Sequence, residues 1–134
     1  MNVHQFRLIH EAFAKSKLAE YLNIDENLIT HESAVNPTSD FDLIFKGIKF
    51  DVKYSHPTRT EKNKEPIWDF NLRKQNNGKR TGAIRKSCDF YILIGMKNGI
   101  PIRVFVVPFS ESPTNHIRIS IKGDSKYNMF VIGV

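Results

Sequence analysis

The chain has 134 residues, of which 40% are hydrophobic and 25% charged, and a formal net charge of +6. That length predicts one domain, residues 1–134, built on one core. No apolar run reaches the roughly 18 residues a membrane span needs, and the first ten residues lack a signal-peptide pattern, so a soluble, cytoplasmic protein with no membrane partner is expected. The single cysteine, Cys88, excludes an internal disulfide framework and a cysteine-built zinc site. Placed just before an apolar run, it reads as a small core residue.

In chain order, Val3, Phe6, Ile9, Phe13, Leu18 and Tyr21 approximate helical spacing and predict an amphipathic helix over 3–22. Residues 28–35 read as a first strand, broken by Asn36-Pro37-Thr38-Ser39. The runs Leu43-Ile44-Phe45 and 48–52 flank Lys46-Gly47, a tight turn between two short strands. With a loop of two or four residues, paired positions sum to 93, which sets Asp42 across from Asp51. Leu43, Phe45, Ile48, Phe50 and Val52 then share one face, and Asp42, Asp51 and Lys53 share the other. Further strands are expected over 67–72, 89–94, 102–107 and 116–121, with Asn98-Gly99 as a second hairpin turn. Ser110-Glu111-Ser112-Pro113 reads as either a short helix or a loop. The expected fold is α/β: a mixed central sheet with one long helix packed on it and few others.

Two carboxylates opposed on adjacent strands repel each other, so the arrangement calls for a compensating cation. Lys53 alone could supply it in a surface charge cluster. A divalent ion such as Mg²⁺ also fits, because it takes oxygen ligands and often uses only one or two protein carboxylates. A lysine two residues after the second Asp could then orient an attacking water or offset charge on a phosphate.

The pattern Asp42-x8-Asp51-x-Lys53 within two hydrophobic strands resembles the active site of the PD-(D/E)xK phosphodiesterase superfamily, which includes restriction enzymes, junction resolvases and some homing endonucleases. The weaker similarity outside the hairpin covers the run from Trp68 to Arg73, that from Cys88 to Ile94, that from Arg103 to Pro108, and Ser125-Lys126-Tyr127. Phe41 stands where the family name would put proline. Asp40 is a second candidate for the first acid, since it would face the same side as Asp42. The resemblance implies a restriction-endonuclease-like sheet and a Mg²⁺-dependent DNA endonuclease in which Mn²⁺ can substitute. Asp42, Asp51 and the Val52 carbonyl would hold metal, Lys53 would be catalytic, and Glu11 on the first helix would reach the metal through water. It further implies a site-specific enzyme of homing or restriction type, ranked above a Holliday-junction resolvase. Cutting both strands would call for a homodimer or higher symmetric oligomer.

The positive charge is concentrated immediately after this motif. Residues 53–86 hold ten bases against three acids, net +7, leaving −1 for the rest of the chain. Besides Lys53 these are Arg59, Lys62, Lys64, Arg73, Lys74, Lys79, Arg80, Arg85 and Lys86, residues suited to neutralising a nucleic-acid backbone. Asn76-Asn77-Gly78 and Gly82 suggest a loop that orders on the substrate. Ser55, Asn71, Arg73 and Lys126 are further candidate contacts, the strand over 67–72 being expected to turn its polar face to the active site. Trp68 reads as core, with stacking on a base as the alternative. Histidines at metal-ligand spacing, a Gly-rich phosphate loop and a Ser-His-Asp order are all missing from the sequence. The competing classes are a non-catalytic nucleic-acid-binding module, which explains the basic stretch equally well, and an RNA-cleaving enzyme.

Overall fold

The computed structural model describes residues 2–59, 65–76, 79–85, 88–113 and 115–134, without the side chains of 74–76 and 79–85. Helix α1 spans Val3–Leu22. Asn2 opens it with a capping box: its side chain accepts from the Gln5 N–H at 2.9 Å, and the Gln5 side chain accepts from the Asn2 N–H at 2.9 Å. Asn23 closes it in the left-handed conformation, φ 55°. The helix has the expected bounds, but only part of the expected face is buried: Leu18 is in the core and Phe13 packs against it. Val3, Phe6, Ile9 and Tyr21 are exposed, while Glu11, Ala14, Leu18 and Ala19 are buried. Two alanines on the inner face let the helix backbone approach the sheet closely.

The strand expected over 28–35 is instead three short pieces. A 3-10 turn at Glu26–Leu28, started by Asp25 accepting from the Asn27 N–H, leads to strand β1 (Thr30–His31) and the one-turn helix α2 (Glu32–Val35). Among the described residues β1 pairs with Leu43 and Ile44; Ile29 is buried in the core, but Leu28 and Val35 are exposed, so the segment's apolar residues do not form one inward face.

Strands β2 (Leu43–Phe45) and β3 (Ile48–Ser55) follow. Their turn residues Lys46 and Gly47 have φ of 49° and 79°, the two positive values that a two-residue type I′ hairpin demands. The pairs Phe45↔Ile48, Ile44↔Lys49 and Leu43↔Phe50 follow the predicted register. Next come β4 (Pro57–Thr58), β5 (Ile67–Asn71), β6 (Arg73–Asn76), β7 (Lys79–Arg85), β8 (Phe90–Lys97), β9 (Ile100–Pro108), β10 (His116–Ser120) and β11 (Val131–Gly133). Asn98-Gly99 joins β8 to β9 with φ of 53° and 75°. Phe109–Glu111 is a 3-10 turn.

The central sheet is mixed, with order β1-β2-β3-β8-β9-β11; β3 and β8 run parallel and its other neighbours antiparallel. A second, antiparallel sheet has order β10-β5-β4. β6 and β7 form a separate two-stranded ribbon. The ribbon corrects the expected loop at Asn76 and Gly82, which lie in β6 and β7; Asn77 and Gly78 lie outside the described residues.

Alternation along the central strands divides the core in two. Phe50, Val52, Ile92, Ile94 and Val104 meet Ala14, Leu18 and Ala19 of α1. Tyr91, Leu93, Phe105 and Val107 face the other way, onto Trp68, Phe70, Ile117 and Ile119 of the second sheet. Cys88 and Tyr127 lie in this second core. Trp68 is fully buried and donates its Nε1–H to the Met96 carbonyl at 2.9 Å. Gly95 is required beside it, because a Cβ there would lie 2.5 Å from the indole. Among the described residues no helix is long and apolar enough to cross a membrane.

Candidate active site

Phe50 and Val52 belong to the core under α1, so period-two alternation turns Asp51 and Lys53 to the opposite face of β3. Register with β8 sets Asp51 beside Tyr91 and Lys53 beside Leu93, both in the core between the sheets. Lys53 Nζ lies 3.3 Å from Asp51 Oδ2; the carboxylate is fully buried, whereas 21% of the lysine side chain reaches solvent. A buried carboxylate is expensive unless paired, and the lysine supplies the pairing while keeping its stem packed. Asp51 also shapes its neighbour Cys88. Burial first, and then the Asp51 charge, push that thiol up to about 12, so it stays protonated at neutral pH.

Asp42 is 3% exposed and lies immediately before β2 begins. Regular pairing stops at Leu43↔Phe50, and the Asp42 N–H still reaches the Phe50 carbonyl, at 2.9 Å. The backbone thus leaves the predicted register before Asp42 and Asp51 come face to face, which relieves the repulsion of two directly opposed carboxylates. Asp42 Oδ2 instead accepts from the Val52 N–H at 2.8 Å, standing in for a strand carbonyl. Among the described residues Oδ1 accepts no hydrogen bond. Asp40, the other candidate, is exposed.

Glu11 is 1% exposed on the inner face of α1. Its Oε1 accepts from the Ser33 hydroxyl at 2.5 Å and lies 2.9 Å from His31 Nε2, and its Oε2 lies 3.7 Å from Arg7 Nε. Ser33 in turn donates its backbone N–H to the Asp42 carbonyl at 3.3 Å. Both donors lie in the segment 28–35, whose composition predicts a single strand and so gives neither a role. Their signal in the sequence is the polar run Thr30-His31-Glu32-Ser33 in the middle of that segment.

Other expected contacts are distributed differently. Ser55 is 8% exposed, and its hydroxyl donates to the His56 carbonyl at 2.8 Å and accepts from the Asp69 N–H at 3.0 Å, so it ties strands together inside the fold. The polar face of β5 does not turn to the hairpin. Trp68 and Phe70 take the inward face, and Asp69 meets His116 Nδ1 at 2.7 Å and Arg118 Nε at 3.4 Å on β10. Asn71 Oδ1 accepts from the Arg73 N–H at 2.9 Å, and Arg73 Nε donates to Asn115 Oδ1 at 3.3 Å. Arg59 is exposed, as is Lys126, whose ammonium sits 5.2 Å from the Tyr127 ring centroid. Lys62, Lys64 and Lys86, and the side chains of Lys74, Lys79, Arg80 and Arg85, lie outside the described residues.

Among the described residues no group of three or more His, Cys, Asp or Glu side chains is placed to hold a metal ion. The donors at the hairpin are two carboxylates, hard oxygen ligands too few for a structural zinc site and suited to an ion that keeps most of its water. The chain matches no protein-family model, no curated protein and no solved structure.

Proposed function

We propose that this chain is a Mg²⁺-dependent DNA endonuclease of PD-(D/E)xK type, with a restriction-endonuclease-like arrangement of the central sheet. The observation that carries the reading is the contact of Lys53 Nζ with the fully buried Asp51 carboxylate at 3.3 Å, on the strand whose Val52 N–H holds a second buried carboxylate, Asp42, by one oxygen, the other accepting no hydrogen bond among the described residues. Packing alone gives no reason to retain such a group inside β3.

Asp42, Asp51 and the Val52 carbonyl would hold the ion, and Mn²⁺ would substitute for Mg²⁺. When bound, such an ion lowers the pKa of water and stabilises negative charge on phosphate. Lys53, partly solvated, orients the attacking water and offsets charge on the scissile phosphate. The Val52 N–H fixes Asp42, so that the carboxylate presents Oδ1 to the ligand. DNA suits the +7 stretch that follows, and the two-stranded ribbon β6–β7 within that stretch has the width a major groove admits. Cutting both strands takes two copies of the site, hence a homodimer or higher symmetric oligomer acting site-specifically in the homing or restriction manner.

The test is cleavage of supercoiled plasmid and of a four-way junction with Mg²⁺, Mn²⁺ or EDTA, comparing wild type with Asp51→Asn. Metal-dependent nicking or linearisation that disappears in the variant is the expected result. The preferred substrate separates duplex endonuclease from junction resolvase. Salt-sensitive binding with no cleavage of either substrate, the same in both proteins, would replace the enzyme with a non-catalytic binding module.

A further inference from the structure

Helix α2 lies between α1 and β2 and is joined to each through Ser33: its hydroxyl donates to Glu11, and its backbone N–H donates to the Asp42 carbonyl. His31, on the same Glu11 oxygen, pairs in β1 with Leu43, the residue after Asp42. All three polar parts of Asp42 are therefore held. Its N–H goes to Phe50 and its carboxylate to Val52, both on β3, while its carbonyl is held by α2. Glu11 itself lies under α1, on the side of the sheet where Phe50 and Val52 pack, and Asp51 and Lys53 project from the other side.

We propose that Glu11, Ser33 and His31 form a positioning hub that fixes Asp42, and that Glu11 acts through α2 instead of contributing its charge to the metal. The proposal rests on the metal-dependent nuclease reading. Glu11 is useful here as an acceptor: one oxygen gathers two donors from one short segment, and that segment pins the strand end carrying the first acid. Partners that orient a metal's ligands from behind typically change metal affinity by about 10- to 100-fold when removed.

The experiment is Mn²⁺ binding to the full chain by titration calorimetry, with thermal melting of each variant as a check on folding. Ser33→Ala is expected to weaken Mn²⁺ binding about tenfold. Glu11→Gln keeps an acceptor oxygen for Ser33 and His31 and is expected to stay within about threefold of wild type. If Ser33→Ala melts below the assay temperature, His31→Ala, which strips the other donor from the same oxygen, carries the test with the same expected loss. Weakening in Glu11→Gln as large as in Asp51→Asn would overturn the proposal in favour of a direct charge effect. Unchanged affinity in a folded Ser33→Ala would overturn it as well. Failure of the wild type to bind Mn²⁺ would remove the nuclease reading and the hub together, and is told apart from the other failures by the wild-type isotherm alone.

Discussion

The β2–β3 and β8–β9 hairpins turn in the same way, through Lys46-Gly47 and Asn98-Gly99 with positive φ at both residues, yet they bury opposite chemistry. In β8–β9 the pairs Ile92↔Val106, Leu93↔Phe105 and Ile94↔Val104 give both faces to apolar packing. In β2–β3 only the α1 side is filled that way; the other side of β3 carries Asp51 and Lys53, and Asp42 is buried at the strand end. Burying a carboxylate costs several kcal/mol before pairing offsets it, roughly the opposite of what a buried Val or Leu contributes. One hairpin is thus packed by apolar side chains on both faces, while the other buries a paired charge on one of them.

The sharpest break in that contrast is Asp51→Asn. Cleavage with Mg²⁺ should fall by at least about a hundredfold, while the melting temperature holds or rises as a buried charge disappears. Parallel plasmid-cleavage and melting assays check both; loss of stability together with activity would make Asp51 a structural residue. The reverse exchange puts a charge into the packing hairpin. Val107→Asp leaves an uncompensated carboxylate between the sheets and should cost about 3–5 kcal/mol in urea unfolding, with a cost near zero showing that this core tolerates charge as β3 does.

The turns themselves should behave alike. Gly47→Ala and Gly99→Ala each force a Cβ into left-handed backbone with open space around it, at a cost of about 1 kcal/mol. Unequal losses would mean that one turn is held by more than its own dihedrals. The smallest effect concerns His10, whose ring lies tilted against that of Tyr54 of β3, centroids 4.1 Å apart. Burial first, and then the charge of His56, hold its pKa below the ordinary 6.5. The unfolded chain therefore binds the proton more readily, so stability present above pH 6.5 is lost as pH falls through that value towards the lowered one. Melting followed from about pH 7.5 to about pH 5.5 should show wild type losing on the order of 1 °C more than His10→Gln.

What could be read from the chain beforehand was whatever depends on near neighbours. Both turns, the 93 register from Phe45↔Ile48 to Leu43↔Phe50, and the bounds of α1 follow from local dihedral demands, alternation and capping. Choices between distant partners were not legible. Helical spacing marked Phe6 and Ile9, but the sheet selected Ala14 and Ala19 because small residues allow close approach. Alternation on β5 separated Trp68 and Phe70 from Asp69 but could not say which set faces inward. Asp42 departed from the regular ladder because a carboxylate can replace a backbone acceptor, and Ser33 reaches Glu11 only through a helix that no periodicity of so short a segment announces.

Trp68 is the only tryptophan in the chain, and it sits at the joint between the two sheets, its ring beneath Gly95 and edge-on to Phe105. Tryptophan emission from this protein therefore has one source in one dry place. A red shift would report water entering between the sheets, whatever happens under α1, so comparing it with loss of helical circular dichroism would reveal whether the two cores come apart together or in turn.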